Sequence, residues 1–231
     1  MAHLGAHLSV ANLAEGGRSV TPISVAIADD HRVVSRGLKA YLESFPDLEV
    51  VGTASSGEEL LAHLPHWRPD VVVQDLLLPG GIDGIETTRR VVAQQPAIRV
   101  LALTASTDEA RMMAVLRAGA SGYVRKDVAP EVLLDAVRKV GAGRTFIDPV
   151  MVRRLRHDGE HDEKLTPREA DVLQRLALGR SNADIAADLG IGEETVKTHV
   201  SRLLSKLGVE NRAQAAVQAL KRGLVSFDDV S

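Results

Sequence analysis

The chain has 231 residues, 45 % of them apolar and none of them cysteine, with a formal net charge of −3. That length suits one large domain or two small ones, and that apolar share supports a packed core. The missing cysteines exclude disulfides, thiolate metal sites and a cysteine nucleophile, and they fit a reducing cytoplasm.

Residues 1–22 carry only Glu15 and Arg18 as charged side chains and lack a basic start followed by an apolar core, so no secretion signal is expected. The stretch reads as a disordered extension, or as the product of an upstream start site. No apolar run approaches the roughly 18 residues of a membrane span, and no membrane partner is expected.

From Ile23, short β-branched runs alternate with longer amphipathic segments. The runs Ile23–Ala28, Leu48–Ala54, Asp70–Gln74, Arg99–Thr104 and Gly122–Arg125 are nearly continuous in apolar residues, the pattern of parallel strands buried on both faces. Between them Val34, Leu38, Tyr41 and Leu42 share one helical face. The next faces are formed by Leu60, Leu61 and Leu64, by Ile85, Val91 and Val92, and by Met112, Val115 and Leu116. A fifth holds Val132, Leu133, Ala136, Val137 and Val140. Five strands alternating with five helices predict a flavodoxin-like (βα)5 α/β domain over residues 23–140.

Residues 141–163 read as a charged linker holding one short helix near Val150–Leu155. Residues 164–227 read as an all-α unit of four helices. Thr166, Pro167 and Glu169 spell a capping box at the start of the first, and Gly179 ends it. Ser181 or Asn182 caps the second, and Gly190-Ile-Gly192 turns the chain. The third, Glu193–Lys206, buries Val196, Val200 and Leu203 and presents Lys197, Thr198, Ser201, Arg202 and Lys206 on the opposite side. Two helices joined by a short glycine-containing turn make a helix-turn-helix, whose second helix fits the DNA major groove. The last helix, Arg212–Leu224, is expected to expose Ala216 and Leu220 as dimer contacts. Charge follows the same division: residues 23–140 hold 13 basic and 16 acidic side chains, residues 164–227 hold 10 and 7. The basic half is the one expected near a polyanion.

The chemistry collects at strand ends. In a parallel sheet the loops at the carboxyl ends of the strands form the ligand crevice. Asp29 and Asp30 end the first run, Asp75 follows the third, Thr104 ends the fourth and Lys126 follows the fifth. Three carboxylates in one cleft repel and call for a cation, and oxygen donors without His or Cys select Mg²⁺ over zinc. Lys126 and Thr104 can neutralise and bond phosphoryl oxygens. The set suits phosphoryl transfer onto Asp75 as nucleophile. The plain alternative for the Asp pair is a cap for the helix starting near Arg32.

Ala28-Asp-Asp-His31, Gln74-Asp-Leu-Leu-Leu-Pro79, Asp83-Gly84, Leu103-Thr-Ala105 and Gly122-Tyr-Val-Arg-Lys126 resemble receiver domains of two-component response regulators. The resemblance implies that Asp75 takes a phosphoryl group from the phosphohistidine of a sensor histidine kinase. It implies Mg²⁺ ligation by Asp30, Asp75 and the Leu77 carbonyl, with Asp29 acting through water. Thr104 and Lys126 would hold the phosphate, and Tyr123 would swing inward with Thr104. Two departures stand out. Pro79-Gly-Gly-Ile-Asp-Gly84 carries one residue more than the usual spacing, and Asp127 replaces the proline that commonly follows the lysine.

Leu165-Thr-Pro-Arg-Glu169, Thr195-Val-Lys-Thr-His-Val200 and Lys206-Leu-Gly-Val-Glu-Asn-Arg212 are similar to the LuxR-type DNA-binding domain. That likeness implies that Lys197, Thr198 and Ser201 face base edges of double-stranded DNA. Thr195, Arg202 and Lys206 would meet phosphates, and a homodimer would read two half-sites. The order of the two domains resembles the NarL/FixJ class: a phosphorylation-controlled, non-enzymatic transcription regulator. Two rivals are a DNA-binding regulator whose receiver works without phosphate and a Mg²⁺-dependent aspartyl-phosphate phosphatase. Leu77 stands where the phosphatase would need an acid–base carboxylate.

Overall fold

The computed structural model describes residues 21–106, 108–154, 165–221 and 224. The expected disordered extension therefore lies almost wholly outside the described residues, as does the second half of the expected linker. Among the described residues the first half runs β1 (Ile23–Ala28), α1 (Arg32–Glu43), β2 (Leu48–Ala54), α2 (Gly57–Trp67), β3 (Val71–Asp75), α3 (Gly84–Gln94), β4 (Arg99–Thr104), α4 (Glu109–Arg117), β5 (Gly122–Arg125) and α5 (Pro130–Gly141). The strands form one parallel sheet in the order β2-β1-β3-β4-β5-β6.

The sixth strand, β6 (Phe146–Ile147), adds to the five expected. It pairs Phe146 with Gly122 and Ile147 with Tyr123 at the sheet edge. Two residues are too few to show a period, so hydrophobic patterning cannot announce such a strand. It leads into α6 (Pro149–Arg154), where Met151 is fully buried.

Burial explains the continuous apolar runs. Val25, Ile27, Val71 and Val73 face α1 and α5, packing with Leu42, Leu133 and Val137. Ala26, Ala28 and Val72 face α2 and α3, packing with Leu60, Leu64 and Val91. The order reverses between β1 and β3, and the loops beyond their carboxyl ends open the crevice that such sheets use for ligands. Asp75 is the last residue of β3 rather than the first after it, so its direction is set by the strand itself. Gly84 brings α3 against that strand end. A Cβ on Gly84 would lie 2.1 Å from the Asp75 carbonyl oxygen, so only glycine permits the approach.

The second half is helical: α7 (Pro167–Ala177), α8 (Asn182–Leu189), α9 (Glu193–Leu207) and α10 (Arg212–Lys221). Thr166 accepts from the Glu169 amide while Glu169 accepts from the Thr166 amide, closing the expected capping box. Ser181, not Asn182, caps α8 and forms a second box with Asp184. Val172, Leu173, Leu176, Ile185, Val196, Leu203 and Leu207 form the bundle core.

Ala216 and Leu220 do not face solvent as expected. They are 2 % and 3 % exposed, and Phe146 and Ile147 line the same small crevice. The reason is that α10 packs across α7 of its own bundle, with Ala216 and Leu220 turned towards Ala177 and the β6 segment, while other parts of α10 meet α4 of the first half. The Asn211 side chain donates to the Leu116 carbonyl, and Lys221 pairs with Glu109 at 2.8 Å. Arg212, pushed below the usual arginine range by burial, donates to the Thr145 hydroxyl at 3.2 Å, and Arg144 pairs with Asp184 at 3.2 Å.

Candidate functional site

Four of the five polar residues from the strand ends, Asp29, Asp30, Asp75 and Lys126, meet in one cleft, and Thr104 ends the strand next to Asp75. Lys126 Nζ lies 2.7 Å from Asp29 Oδ2 and 2.7 Å from Asp75 Oδ2. Both carboxylate side chains are only 1 % exposed. Their other oxygens are held by backbone: Asp29 Oδ1 accepts from the His31 amide at 2.8 Å, and Asp75 Oδ1 from the Leu77 amide at 3.0 Å. Burial disfavours the Lys126 ammonium, but its bonds to Asp29 and Asp75 outweigh that cost and hold its pKa above the ordinary lysine value. The Lys126 amide donates to the Thr104 carbonyl at 2.7 Å, locking the β5 loop beside the end of β4.

Thr104 is buried, and its hydroxyl accepts from the Ser106 amide at 3.0 Å. Tyr123 is fully buried in the inward position, its hydroxyl donating to the Ser106 carbonyl at 3.0 Å. Burial and nearby carboxylates push the phenol up to about 12, past the help of its bond with Thr104. The Leu77 side chain, 42 % exposed, stands at the cleft mouth.

The donor set fits a hard cation. Ligand atoms of Asp29, Asp30, His31 and Asp75 lie within 4.8 Å of one another. Asp30 Oδ1 is shielded from solvent, with His31 Nδ1 2.9 Å away. The capping alternative fails: His31 is the N-cap of α1, and no side chain caps that helix.

The extra residue after Pro79 is absorbed without disturbing Asp75. Gly80 takes φ +81°, where glycine is favoured, and the Ile82 amide donates to Glu58 Oε1 at 2.8 Å. That bond holds the Glu58 carboxyl below its usual range. Asp83 then caps α3 through the Glu86 amide. The peptide after Lys126 is trans.

Sequence reasoning passed over three residues here. His31 was hidden by its place inside a motif, although Asp-Asp-His is itself a ligand-rich run. Glu58 carried no signal, because its partner is a backbone amide. Arg125 bonds Asp148 at 2.8 Å and so ties β5 to the start of α6. Asp148 is 2 % exposed, caps Val150, and donates its amide to the Tyr123 carbonyl.

On the helical half, Thr195, Lys197, Thr198, Ser201 and Arg202 are all exposed on α9. Lys197 pairs with Glu194 one turn back, and Thr198 bonds the Glu194 carbonyl. Lys206 differs: it is partly buried and bonded to Glu169 at 2.8 Å, which drives that glutamate down to about 2. Among the described residues no helix is long and apolar enough to cross a membrane.

Residues 25–138 match the family described as "Response regulator receiver domain", and residues 163–219 match "Bacterial regulatory proteins, luxR family". The DNA-binding transcriptional activator DevR/DosR of Mycobacterium tuberculosis is 44 % identical over 209 residues, spanning 87 % of this chain and 96 % of that protein. The response regulator VraR of Staphylococcus aureus is 38 % identical over 207 residues, spanning 88 % and 99 %. Among solved structures, the complex of the response regulator RcsB with DNA superposes with a TM-score of 0.55 at 30 % identity, covering 87 % of this chain and 98 % of that one. With a receiver half and a LuxR-family half in one chain, and relatives matched over almost their whole length, this chain belongs to the two-component response regulators that carry a LuxR-type DNA-binding domain.

Proposed function

We propose that this regulator is switched by phosphorylation of Asp75 and that the switch controls DNA binding by α9. One observation carries the reading: a single ammonium, Lys126, bonds both Asp29 and Asp75 at 2.7 Å at the crevice of the sheet. Phosphotransfer from a sensor histidine kinase breaks the N–P bond of its phosphohistidine and forms an O–P bond to a carboxylate oxygen of Asp75. Lys126 then turns from the carboxylates to the phosphoryl oxygens, so positive charge follows the transferred group. Asp29, Asp30, Asp75 and the Leu77 carbonyl are the groups proposed to hold Mg²⁺, Asp29 through water. The ion supplies charge neutralisation at the transferring group.

The phosphoryl group replaces one negative charge with about two and adds strong acceptors. Thr104, at the end of the strand beside Asp75, is the hydroxyl proposed to meet them, at the cost of its bond to the Ser106 amide. Ser106 also accepts from Tyr123, so a shift there reaches the face of the receiver that α4 shares with α10. We assign the output to loosening of that contact, which frees α10 for homodimerisation and α9 for double-stranded DNA. On α9, Lys197, Thr198 and Ser201 are assigned to base edges and Thr195, Arg202 and Lys206 to phosphates. Lys206 must first leave Glu169. The assigned units are an extension to residue 22, a receiver at 23–140, a linker at 141–163 and a DNA-binding domain at 164–227. The assigned compartment is the cytoplasm, where the kinase's phosphohistidine is made.

The test uses a DNA site recovered by selection with the full chain. With an acyl-phosphate donor and Mg²⁺ the wild type gains one phosphoryl group by intact mass and binds that site more tightly, and Asp75→Ala does neither. Equal DNA affinity of the two proteins under those conditions refutes the proposal.

A further inference from the structure

We infer that Gln74 is a positioning residue for phosphorylation: its side-chain amide holds the Asp75 peptide in place while the bonds to the Asp75 carboxylate change. The inference rests on the reading of Asp75 as the nucleophile. Gln74 is fully buried in β3, behind the buried run Val71, Val72 and Val73. Side chains alternate across a strand, so Gln74 projects to the face of Val72 and Leu76, opposite to Asp75. The neighbouring strands leave room for it. Its register partners are Ala28 on β1 and Ala102 on β4, both fully buried.

Gln74 Nε2 donates to the Asp75 carbonyl at 2.7 Å. A carbonyl only accepts, so the nitrogen of the side-chain amide must face it. Oε1 is then left buried without a hydrogen bond. A stranded acceptor in the interior is unfavourable, and an apolar side chain of the same length would avoid it. Packing alone therefore does not account for a glutamine here, whereas its one bond does. That bond acts on the peptide of the nucleophile, at the same oxygen that a Cβ on Gly84 would approach to 2.1 Å. The carboxylate is held separately, by Lys126 at 2.7 Å and the Leu77 amide at 3.0 Å. Phosphotransfer changes the first of these, because Lys126 turns to the phosphoryl oxygens. The Gln74 bond comes from the opposite face and involves no reacting atom, so it keeps the backbone of Asp75 fixed throughout. Small misplacement of a reacting group slows a transfer strongly.

The test compares stability with phosphorylation in the full chain. Gln74→Met keeps the length of the side chain and loses both polar atoms, and Gln74→Leu does so with another shape. Val72→Ala loosens the same face without touching the bond. The urea midpoint of Gln74→Met shifts less than that of Val72→Ala, because loss of the bond is offset by removal of the stranded oxygen. The rate of phosphoryl incorporation from an acyl-phosphate donor at saturating Mg²⁺, read by intact mass, nevertheless falls about fivefold or more in the two Gln74 variants alone. A wild-type rate in those variants overturns the inference. So does equal slowing in Val72→Ala, which would make any loosening of this core sufficient. Asp75→Ala separates the underlying reading: a mass gain that survives it places the phosphoryl group elsewhere and overturns Asp75 as nucleophile, whatever the Gln74 variants do.

Discussion

Leu77 occupies the mouth of the cleft with 42 % of its surface exposed, while its amide is tied to Asp75 Oδ1. The backbone fixes where the side chain stands, and its apolar character decides what water does there. An apolar group beside an acyl phosphate offers no partner to an attacking water, whereas an amide can orient one. Leu77→Asn therefore shortens the lifetime of phosphorylated Asp75 severalfold, read as decay of the phosphoprotein after the donor is removed. An unchanged rate removes Leu77 from the account. At this scale the sequence was informative where residue type and strand position coincided. Asp29, Asp30, Asp75, Thr104 and Lys126 each sit at a strand end, and the alternation of runs placed them there. His31 and Glu58 were not legible, because their roles come from contacts of a side chain with its own loop or with a backbone amide two elements away.

Elements were readable in proportion to their length and caps. The box of Thr166 and Glu169 announced the start of α7, and the structure adds that Glu169 also receives Lys206 from α9. One carboxylate thus joins two helices of the bundle. Its folded pKa is about 2, against an ordinary value of 4.5, first because of the bond to Lys206 and next because of the Thr166 amide. A depressed carboxylate adds stability above its unfolded pKa and loses it as pH falls towards the folded value. Glu169→Gln keeps the capping geometry but removes the charge. The DNA-binding half is then less stable by about 0.5–1 kcal/mol at pH 7, a modest figure because the pair is partly solvent-screened. The difference from wild type closes between about pH 4.5 and pH 2. Urea melts of the full chain at pH 7 and pH 3 measure it, and a gap that widens on acidification contradicts the pairing. By contrast β6 was too short to show a period. The buried face of α10 was misjudged, because an alanine-rich helix with one leucine looks alike whether it covers solvent, a partner or the other half of its own chain.

That last point is a property of the whole molecule. The apolar cluster of the bundle is continuous with Met112, Leu116, Tyr123, Ile147 and Met151 of the receiver half, so no boundary in hydrophobic pattern separates the two at this contact. Its polar links stand at both ends of α10: Asn211 on the Leu116 carbonyl, and Lys221 on Glu109. Phosphorylation must overcome this contact if it is to release α10, and the Lys221–Glu109 pair offers a way to weaken it without touching either the cleft or α9. Glu109→Lys sets two ammonium groups against each other from the receiver side and leaves the DNA-binding half unaltered. A partly exposed pair is worth up to about 1 kcal/mol, so the unphosphorylated protein binds its DNA site severalfold more tightly. Lys221→Glu alone sets two carboxylates against each other and also tightens binding, although it lowers the charge of the DNA-binding half. The double variant restores an opposite pair in reversed order and returns the affinity towards wild type. A general effect of charge, or independent action of the two sites, would instead make Lys221→Glu alone bind more weakly. Fluorescence anisotropy on labelled DNA, with phosphate donor absent throughout, reads the wild type, both single variants and the double. Single and double variants that bind alike would mean that α10 is not restrained by α4, and that phosphorylation acts on DNA binding by another surface.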